Sequence, residues 1–281
     1  MNIPEREINP VTQMFEEAIG LSPGRGRLSG RHVLVIGAGQ RDSDDEEVTV
    51  GNGRAISILA AREGAKVACA DINQASVEDT ARRVREAGGQ ASAHVVDVSK
   101  PEQVIQLIHD AKAALGELDG LVLNVGISHG LPLDKITPES WDLEHAVNLR
   151  SHMLACQTAL PLMTEGGAVV LTSSLASQRP TGRNPAYETS KAAQLSLCKS
   201  VAMAGHAKGI RCNAVAPGLM DTPMGRAASA RRPNRAVTVP FGRQGTGWEV
   251  AYSMLFLLSH ESSYVNGHAL FVDGGLGNGI F

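Results

Sequence analysis

The 281-residue sequence lacks the residue patterns that staple, metallate or anchor a chain. Its four cysteines, Cys69, Cys156, Cys198 and Cys212, are scattered and form no CxxC pair, which argues against a disulfide framework or a zinc ribbon and suits a reducing compartment. The nine histidines include no HExxH, so no metal site is expected. No apolar run reaches the roughly 18 residues of a membrane span. The opening "MNIPEREINP" carries two glutamates and no apolar stretch of a secretory leader, so a cytoplasmic location is expected. A net charge of −3 gives no basic excess, and neither a nucleic-acid nor an anionic-membrane partner is expected.

What the chain does have is 43% apolar residues in a regular alternation that begins near Arg31. "HVLVI" (32–36), "KVACAD" (66–71), "SAHVVDV" (92–98), "DGLVLNVG" (119–126), "AVVLTS" (168–173), "IRCNAVA" (210–216) and "HALFVD" (268–273) read as strands. Between them lie helical patterns, among them 53–63, a run closed by the glycines at 88–89, one with Pro101 near its start and Gly116 at its end, a long one over 138–163, another over 185–207, and "GWEVAYSMLFLLS". Strand-helix alternation implies a parallel sheet of about seven strands covered on both faces, a doubly wound α/β Rossmann fold in one domain. Residues 1–29 are expected outside the core as an extension, with 30–281 forming the domain. Ligands of such sheets bind beyond the carboxyl ends of the strands.

The first strand end carries Gly37 and Gly39, and Gly51 and Gly53 follow a ten-residue interruption, 41–50. With that piece excised the text becomes "VIGAGQ-GNGRAI", a strand, a tight turn and a helix start able to meet a pyrophosphate. Glycine is needed there because a Cβ would hold the backbone away from the phosphates. Asp71 ends the second strand, eighteen residues after Gly53, where a carboxylate can accept both adenosine ribose hydroxyls. A 2′-phosphate facing it would meet a repulsion of about 4 kcal/mol per charge pair at 4 Å and an effective dielectric near 20. NAD is therefore expected over NADP unless a cation such as Arg41 offsets Asp71. Further on, Tyr187 and Lys191 stand four apart on a helical pattern and share a face, with Ser174 at the end of the fifth strand. A tyrosine serving as acid or base near neutrality must drop by roughly 2–3 units from its usual 10, which a close ammonium and a positive nicotinamide can supply.

Together these motifs resemble the short-chain dehydrogenase/reductase superfamily over about residues 30–275. The turn looks like TGxxxGxG with Ile36 in place of Thr, and "LNVG" looks like NNAG with Leu123 in place of the first Asn. The resemblance implies cofactor contacts from Gly37, Gly39, Gln40, Gly51, Asn52, Gly53, Asp71, Ile72, Asp97, Val98, Asn124, Val125 and Gly126. It adds Tyr187, Lys191, Pro217, Gly218, Met220 and Thr222 around the nicotinamide. It implies a catalytic set of Asn148, Ser174, Tyr187 and Lys191: Tyr187 moves the hydroxyl proton, Ser174 polarises the oxygen, Lys191 lowers the Tyr187 pKa and holds the nicotinamide ribose, and Asn148 holds a water. The four-residue Tyr-to-Lys spacing disfavours the family's enoyl-reductase branch. Apolar packing between Ile36 and Leu123 is expected to replace the polar tie that the two exchanges remove.

The activity so implied is NAD-dependent interconversion of a secondary alcohol and a ketone. An NADPH-dependent 3-oxoacyl-thioester reductase and a non-catalytic dinucleotide-binding regulator are the rival readings. The substrate loop is expected at about 219–243, where Arg226, Arg231, Arg232, Arg235 and Arg243 either clamp an anion or solvate a lid. Ser174, Arg179 and Met224 are the substrate-contact candidates, with His129 and His152 near the mouth. The acidic run Asp42, Asp44, Asp45, Glu46 and Glu47 is a solvated loop or a cover over the adenosine site. By family analogy the chain is expected to form a homotetramer.

Overall fold

Among the described residues, nine strands and eight α-helices follow one another along the chain. Seven of the strands, β1 (His32–Ile36), β2 (Lys66–Asp71), β3 (Gln90–Val95), β4 (Gly120–Leu123), β5 (Ala168–Thr172), β6 (Arg211–Pro217) and β9 (Ala269–Val272), form one sheet in the order β3-β2-β1-β4-β5-β6-β9. Every neighbouring pair is parallel. The other two, β7 (Met220–Asp221) and β8 (Gly245–Thr246), pair with each other beyond the end of β6. The computed structural model describes residues 14–40, 49–230 and 235–278.

The inner strands are apolar throughout because helices cover both faces: every residue of "AVVLT" in β5 is buried. Side chains alternate across the pleat, so Leu34 and Ile36 enter one core layer and Val33 and Val35 the other. The first layer takes Leu107 and Ile108 from α3 (Pro101–Leu115), Ala155 from α5 (Ser151–Leu162) and Cys198 from α6 (Pro185–Gly205). The second takes Ile56 and Leu59 from α1 (Asn52–Arg62), Val77 from α2 (Gln74–Glu86), and Val250 and Met254 from α8 (Gly247–Leu258). Strand order reverses between β1 and β4, so the binding crevice opens at their carboxyl ends.

Three stretches differ from the sequence expectation. The helix expected over 138–163 is two, α4 (Pro138–His145) and α5, joined by a π turn at Ala146–Arg150 that contains Asn148. The substrate loop expected at about 219–243 holds β7 and α7 (Pro223–Ala230), with β8 just after it. Residues 14–29 are docked on the domain: Ala18, Ser22 and Leu28 are buried. Arg62 of α1 donates to the Gly20 and Ser22 carbonyls, the Thr246 hydroxyl donates to the Ala18 carbonyl, and Glu63 accepts from the Arg25 and Arg27 amides. No helix among the described residues is long and apolar enough to cross a membrane.

Candidate active site

The glycine turn closes around its interruption. The Gly51 N–H donates to the Gln40 side-chain oxygen at 3.0 Å, bridging the two flanks, while Gln40 is held by Ser76 of α2 through both its N–H and its carbonyl. Arg41 and the acidic run lie outside the described residues, as do Arg231, Arg232 and the side chain of Arg235. The glycines are sterically required. A Cβ on Gly53 would stand 1.8 Å from the Gly37 carbonyl oxygen, one on Gly39 would stand 2.7 Å from the Asp71 carboxyl carbon, and Gly37 itself sits at φ 85°. Helix α1 begins at Gly51 with no side-chain cap, so its first N–H groups point out of the turn, and the buried Asn52 Oδ1 has no partner. A bare N-terminus with an orphaned side-chain oxygen fits the pyrophosphate end of a dinucleotide.

Asp71 ends β2, its Oδ2 accepting from the Gly39 N–H at 2.9 Å and its Oδ1 from the Asn73 N–H at 3.1 Å. Ile72 beside it is 66% exposed, an apolar surface suited to one face of an adenine. Asp97 and the buried Val98 follow β3, with Asp97 Oδ1 accepting from the Ser99 N–H. Arg54, in the first turn of α1, is engaged by Asp79 at 3.0 Å and by Thr80 at 3.0 Å.

Ile36 and Leu123 are register partners on β1 and β4, both buried in one core layer, so the expected apolar packing is present. Beyond them Asn124 ties the strand ends together, donating to the Gly37 carbonyl at 2.9 Å and accepting from the Thr172 hydroxyl at 3.3 Å. Gly126 runs beside Lys191, and a Cβ there would come within 3.1 Å of Nζ.

Ser174 stands just past β5, and its Oγ accepts from the Ala176 N–H at 3.2 Å. Tyr187 and Lys191 sit on the same face of α6, the Lys191 Nζ 5.6 Å from the Tyr187 ring centroid. Lys191 is buried and donates to the Thr172 carbonyl at 2.7 Å. Burial pushes its ammonium down to about 7. Burial also pushes the Tyr187 phenol up, the hydrogen bond with Ser174 pulls it down, and the nearby Glu144 charge raises it further. From the protein's own groups the phenol is thus raised, where the sequence leads one to expect a lowering that a bound nicotinamide also helps to supply. Desolvation outweighs the single hydroxyl, and Lys191, held at about 7, has lost its charge at the high pH where a phenol titrates.

Asn148 is fully buried, and its side chain bonds to the protein. Its Oδ1 accepts from the Ile127 N–H at 2.8 Å, and its Nδ2 donates to the Ile127 carbonyl at 2.9 Å and to Ser190 Oγ at 3.0 Å. Its main-chain carbonyl accepts from the Gln194 amide, so each of its two oxygens keeps one lone pair for a water.

At the far end of β6, the Gly218 N–H donates to the Val272 carbonyl, and a Cβ on Gly218 would meet that of Asp273 at 2.6 Å. Pro217 closes β6, Met220 is buried in β7, and the buried Thr222 accepts from the Gly225 N–H at 3.1 Å. Met224 is half exposed on α7. The arginines near the expected loop are engaged: Arg226 with Asp221, Arg243 with Glu249, and Arg179 with the Leu276 carbonyl at 2.6 Å. His129 is exposed and paired with Glu144 at 2.9 Å, whereas His152, expected at the mouth, is wholly buried. Glu144, Gln194 and Thr172 are the neighbours of this centre that motif reading passed over. The spacing of Glu144, Asn148 and His152, polar residues at every fourth place through 144–152, was the available signal.

A doubly wound parallel sheet with a glycine turn at its switch point and a Tyr-Lys pair across the crevice defines a dinucleotide-dependent oxidoreductase class. A family model described as enoyl-(acyl carrier protein) reductase matches residues 49–277. The 3-oxoacyl-(acyl-carrier-protein) reductase FabG of Thermotoga maritima is 32% identical over 89% of this chain and 99% of its own length. Glucose 1-dehydrogenase of Gluconobacter oxydans is 32% identical over 91% and 95%. Among solved structures, a short-chain dehydrogenase from Mycobacterium smegmatis superimposes with a TM-score of 0.78 at 30% identity, covering 90% of this chain and 95% of that one. Levodione reductase does so with 0.81 at 30% identity, over 89% and 99%. The chain belongs to the short-chain dehydrogenase/reductase superfamily, an oxidoreductase family that binds a nicotinamide dinucleotide and acts on small molecules.

Proposed function

We propose that this protein interconverts a secondary alcohol and a ketone with NAD as its preferred cofactor. The observation that carries the reading is the convergence of Ser174, Tyr187 and Lys191 at the carboxyl end of β5. The nicotinamide supplies hydride acceptance or donation at the carbinol carbon when bound. Tyr187, raised by burial, holds its proton at neutral pH and is suited to give it to a ketone oxygen. Ser174, close enough to Tyr187 to lower its phenol, is positioned to donate to the same substrate oxygen. Lys191, poised at about 7, passes a proton readily near neutrality. Asn148 fixes the Ile127 backbone beside them.

Asp71 supports the preference for NAD. Its carboxylate faces the turn, and Arg54, the cation in the first turn of α1, is neutralised by Asp79. NADH and NADPH titrated by fluorescence should give at least about tenfold tighter NADH binding, and Asp71→Ala should narrow the gap. Tighter NADPH binding would favour the 3-oxoacyl-thioester reductase reading, which the similarity to the Thermotoga enzyme supports. A panel of secondary alcohols with NAD⁺ tests turnover itself. Binding without turnover on any of them would leave a dinucleotide-dependent regulator. The matching family model carries an enoyl-reductase description, but the four-residue spacing of Tyr187 and Lys191 favours carbonyl chemistry.

A further inference from the structure

Three buried side chains on the helical stretch that includes the π turn stand four residues apart: Glu144, Asn148 and His152. Each grips the backbone of the segment after β4, and their partners are two residues apart. Glu144 Oε1 accepts from the His129 N–H at 2.8 Å and pairs with His129 Nδ1 at 2.9 Å. Asn148 holds both the N–H and the carbonyl of Ile127. His152 Nε2 lies 3.2 Å from the Val125 carbonyl oxygen. The register has a simple origin. Four helical residues rise about 6 Å, and two extended residues span about 6.6 Å, so a polar residue at every fourth helical position meets every second residue of an antiparallel extended segment.

The protonation of the third rung is determined. Gln194 Nε2 donates to His152 Nδ1 at 3.0 Å, which leaves the imidazole proton on Nε2 to be donated to Val125. The same Gln194 amide holds the Asn148 carbonyl, and Asn148 Nδ2 reaches Ser190. The ladder is thereby bolted to α6 on either side of Lys191. Between its rungs lies Gly126, whose missing Cβ would be 3.1 Å from Lys191 Nζ and 3.4 Å from Asn148 Oδ1. The family resemblance accounts for Asn148 alone.

We propose that Glu144 and His152 are positioning residues which, with Asn148 between them, lock segment 125–129 in register and so set the floor for the nicotinamide half of the cofactor. The inference rests on the cofactor reading given above. A rung lost at either end frees one end of the segment and lets the Gly126 backbone shift against Lys191, while the adenosine end of the crevice, built from β1, α1 and Asp71, is untouched.

The test compares two probes, NADH and ADP, the second carrying only the adenosine half and its phosphates. Glu144→Leu and His152→Leu should each weaken NADH by about tenfold, the scale of one lost hydrogen bond to a charged or buried group, and leave ADP within about twofold of wild type. Glu144→Gln should restore NADH affinity, because an amide oxygen still accepts from His129. Hydrogen exchange gives an independent reading: the His129 amide should exchange faster in Glu144→Leu and stay protected in Glu144→Gln. Equal loss of NADH and ADP, or unchanged NADH binding with a protected His129 amide in Glu144→Leu, would overturn the proposal. Wild-type protein that bound neither NADH nor NADPH would instead overturn the cofactor reading, and the exchange data would then show the ladder without its nicotinamide role.

Discussion

Tyr187→Phe removes one oxygen and leaves the ring that packs beside Lys191. If the phenol transfers the proton, kcat should fall roughly 10²–10⁴-fold while NADH affinity stays near wild type. A variant that kept its turnover would take the proton transfer away from Tyr187. A second residue-scale expectation concerns acid. Burial, then the Lys191 charge, pushes His152 down to about 3. In the unfolded chain an imidazole titrates near 6.5, so between about pH 6.5 and 3 the unfolded state binds a proton that the folded state refuses. Stability should therefore fall as pH drops through that window, by up to about 1.4 kcal/mol per pH unit from this one group. His152→Leu lacks that linkage. Its urea midpoint, lower than wild type at pH 7, should approach the wild-type value toward pH 4. A gap that stayed constant with pH would assign the acid sensitivity to other groups.

At the scale of elements, the glycine turn is held by exclusion. Gly53→Ala must push α1 away from the Gly37 carbonyl and the Asn124 amide, with a cost of roughly 1–3 kcal/mol and loss of dinucleotide binding. An alanine variant that bound NADH as well as wild type would contradict this geometry. The N-terminal segment depends on another glycine. Gly20 has φ 73°, and a Cβ on it would stand 2.2 Å from the Trp248 indole, over which Arg62 also lies at 5.5 Å. Gly20→Val should unseat residues 14–29 from α8 and shift the Trp248 emission to the red, read in a Trp141→Phe background. An unchanged spectrum would mean that the segment docks through Arg62, Glu63 and Thr246 without the Gly20–Trp248 contact. Why the sequence leaves this docking unseen is physical: its contacts are mostly to backbone carbonyls, which no residue pattern advertises. The strands were legible because "HVLVI" and "AVVLT" are apolar on both faces, and the helices because glycine and proline bracket them. The π turn was not, since the apolar periodicity of 138–163 runs on through it. The motif residues were visible at the strand ends, whereas Glu144 and Gln194 became site neighbours only once α4 and α6 were packed against the segment after β4.

Across the whole molecule, the sheet is closed at its centre and open at its edges. The inner strand β5 is buried at every residue, but each residue of β9, the last strand after β6, is only partly covered. An edge of this kind invites a second copy. Beside it Tyr264 is 102% exposed, and Met203, on the end of α6, is 70% exposed. The loop after Tyr264 meets α6 one residue before Met203, where a Cβ on Gly267 would lie 3.8 Å from the Ala202 Cβ. Large apolar side chains beside an uncovered edge are the composition of an interface core, and their burial in a stable dimer contact would remove them from water together. By the family analogy, sedimentation at micromolar concentration is expected to give a species near four times the 29.6 kDa chain, and this surface is the candidate for one of its contacts. Tyr264→Asp combined with Met203→Asp places two charges in that contact, so the tetramer should give way to a smaller species with its cofactor affinity intact, because neither residue lies at the crevice. A wild-type monomer would refute the assembly, and a tetramer that tolerated both aspartates would move the interface to another face.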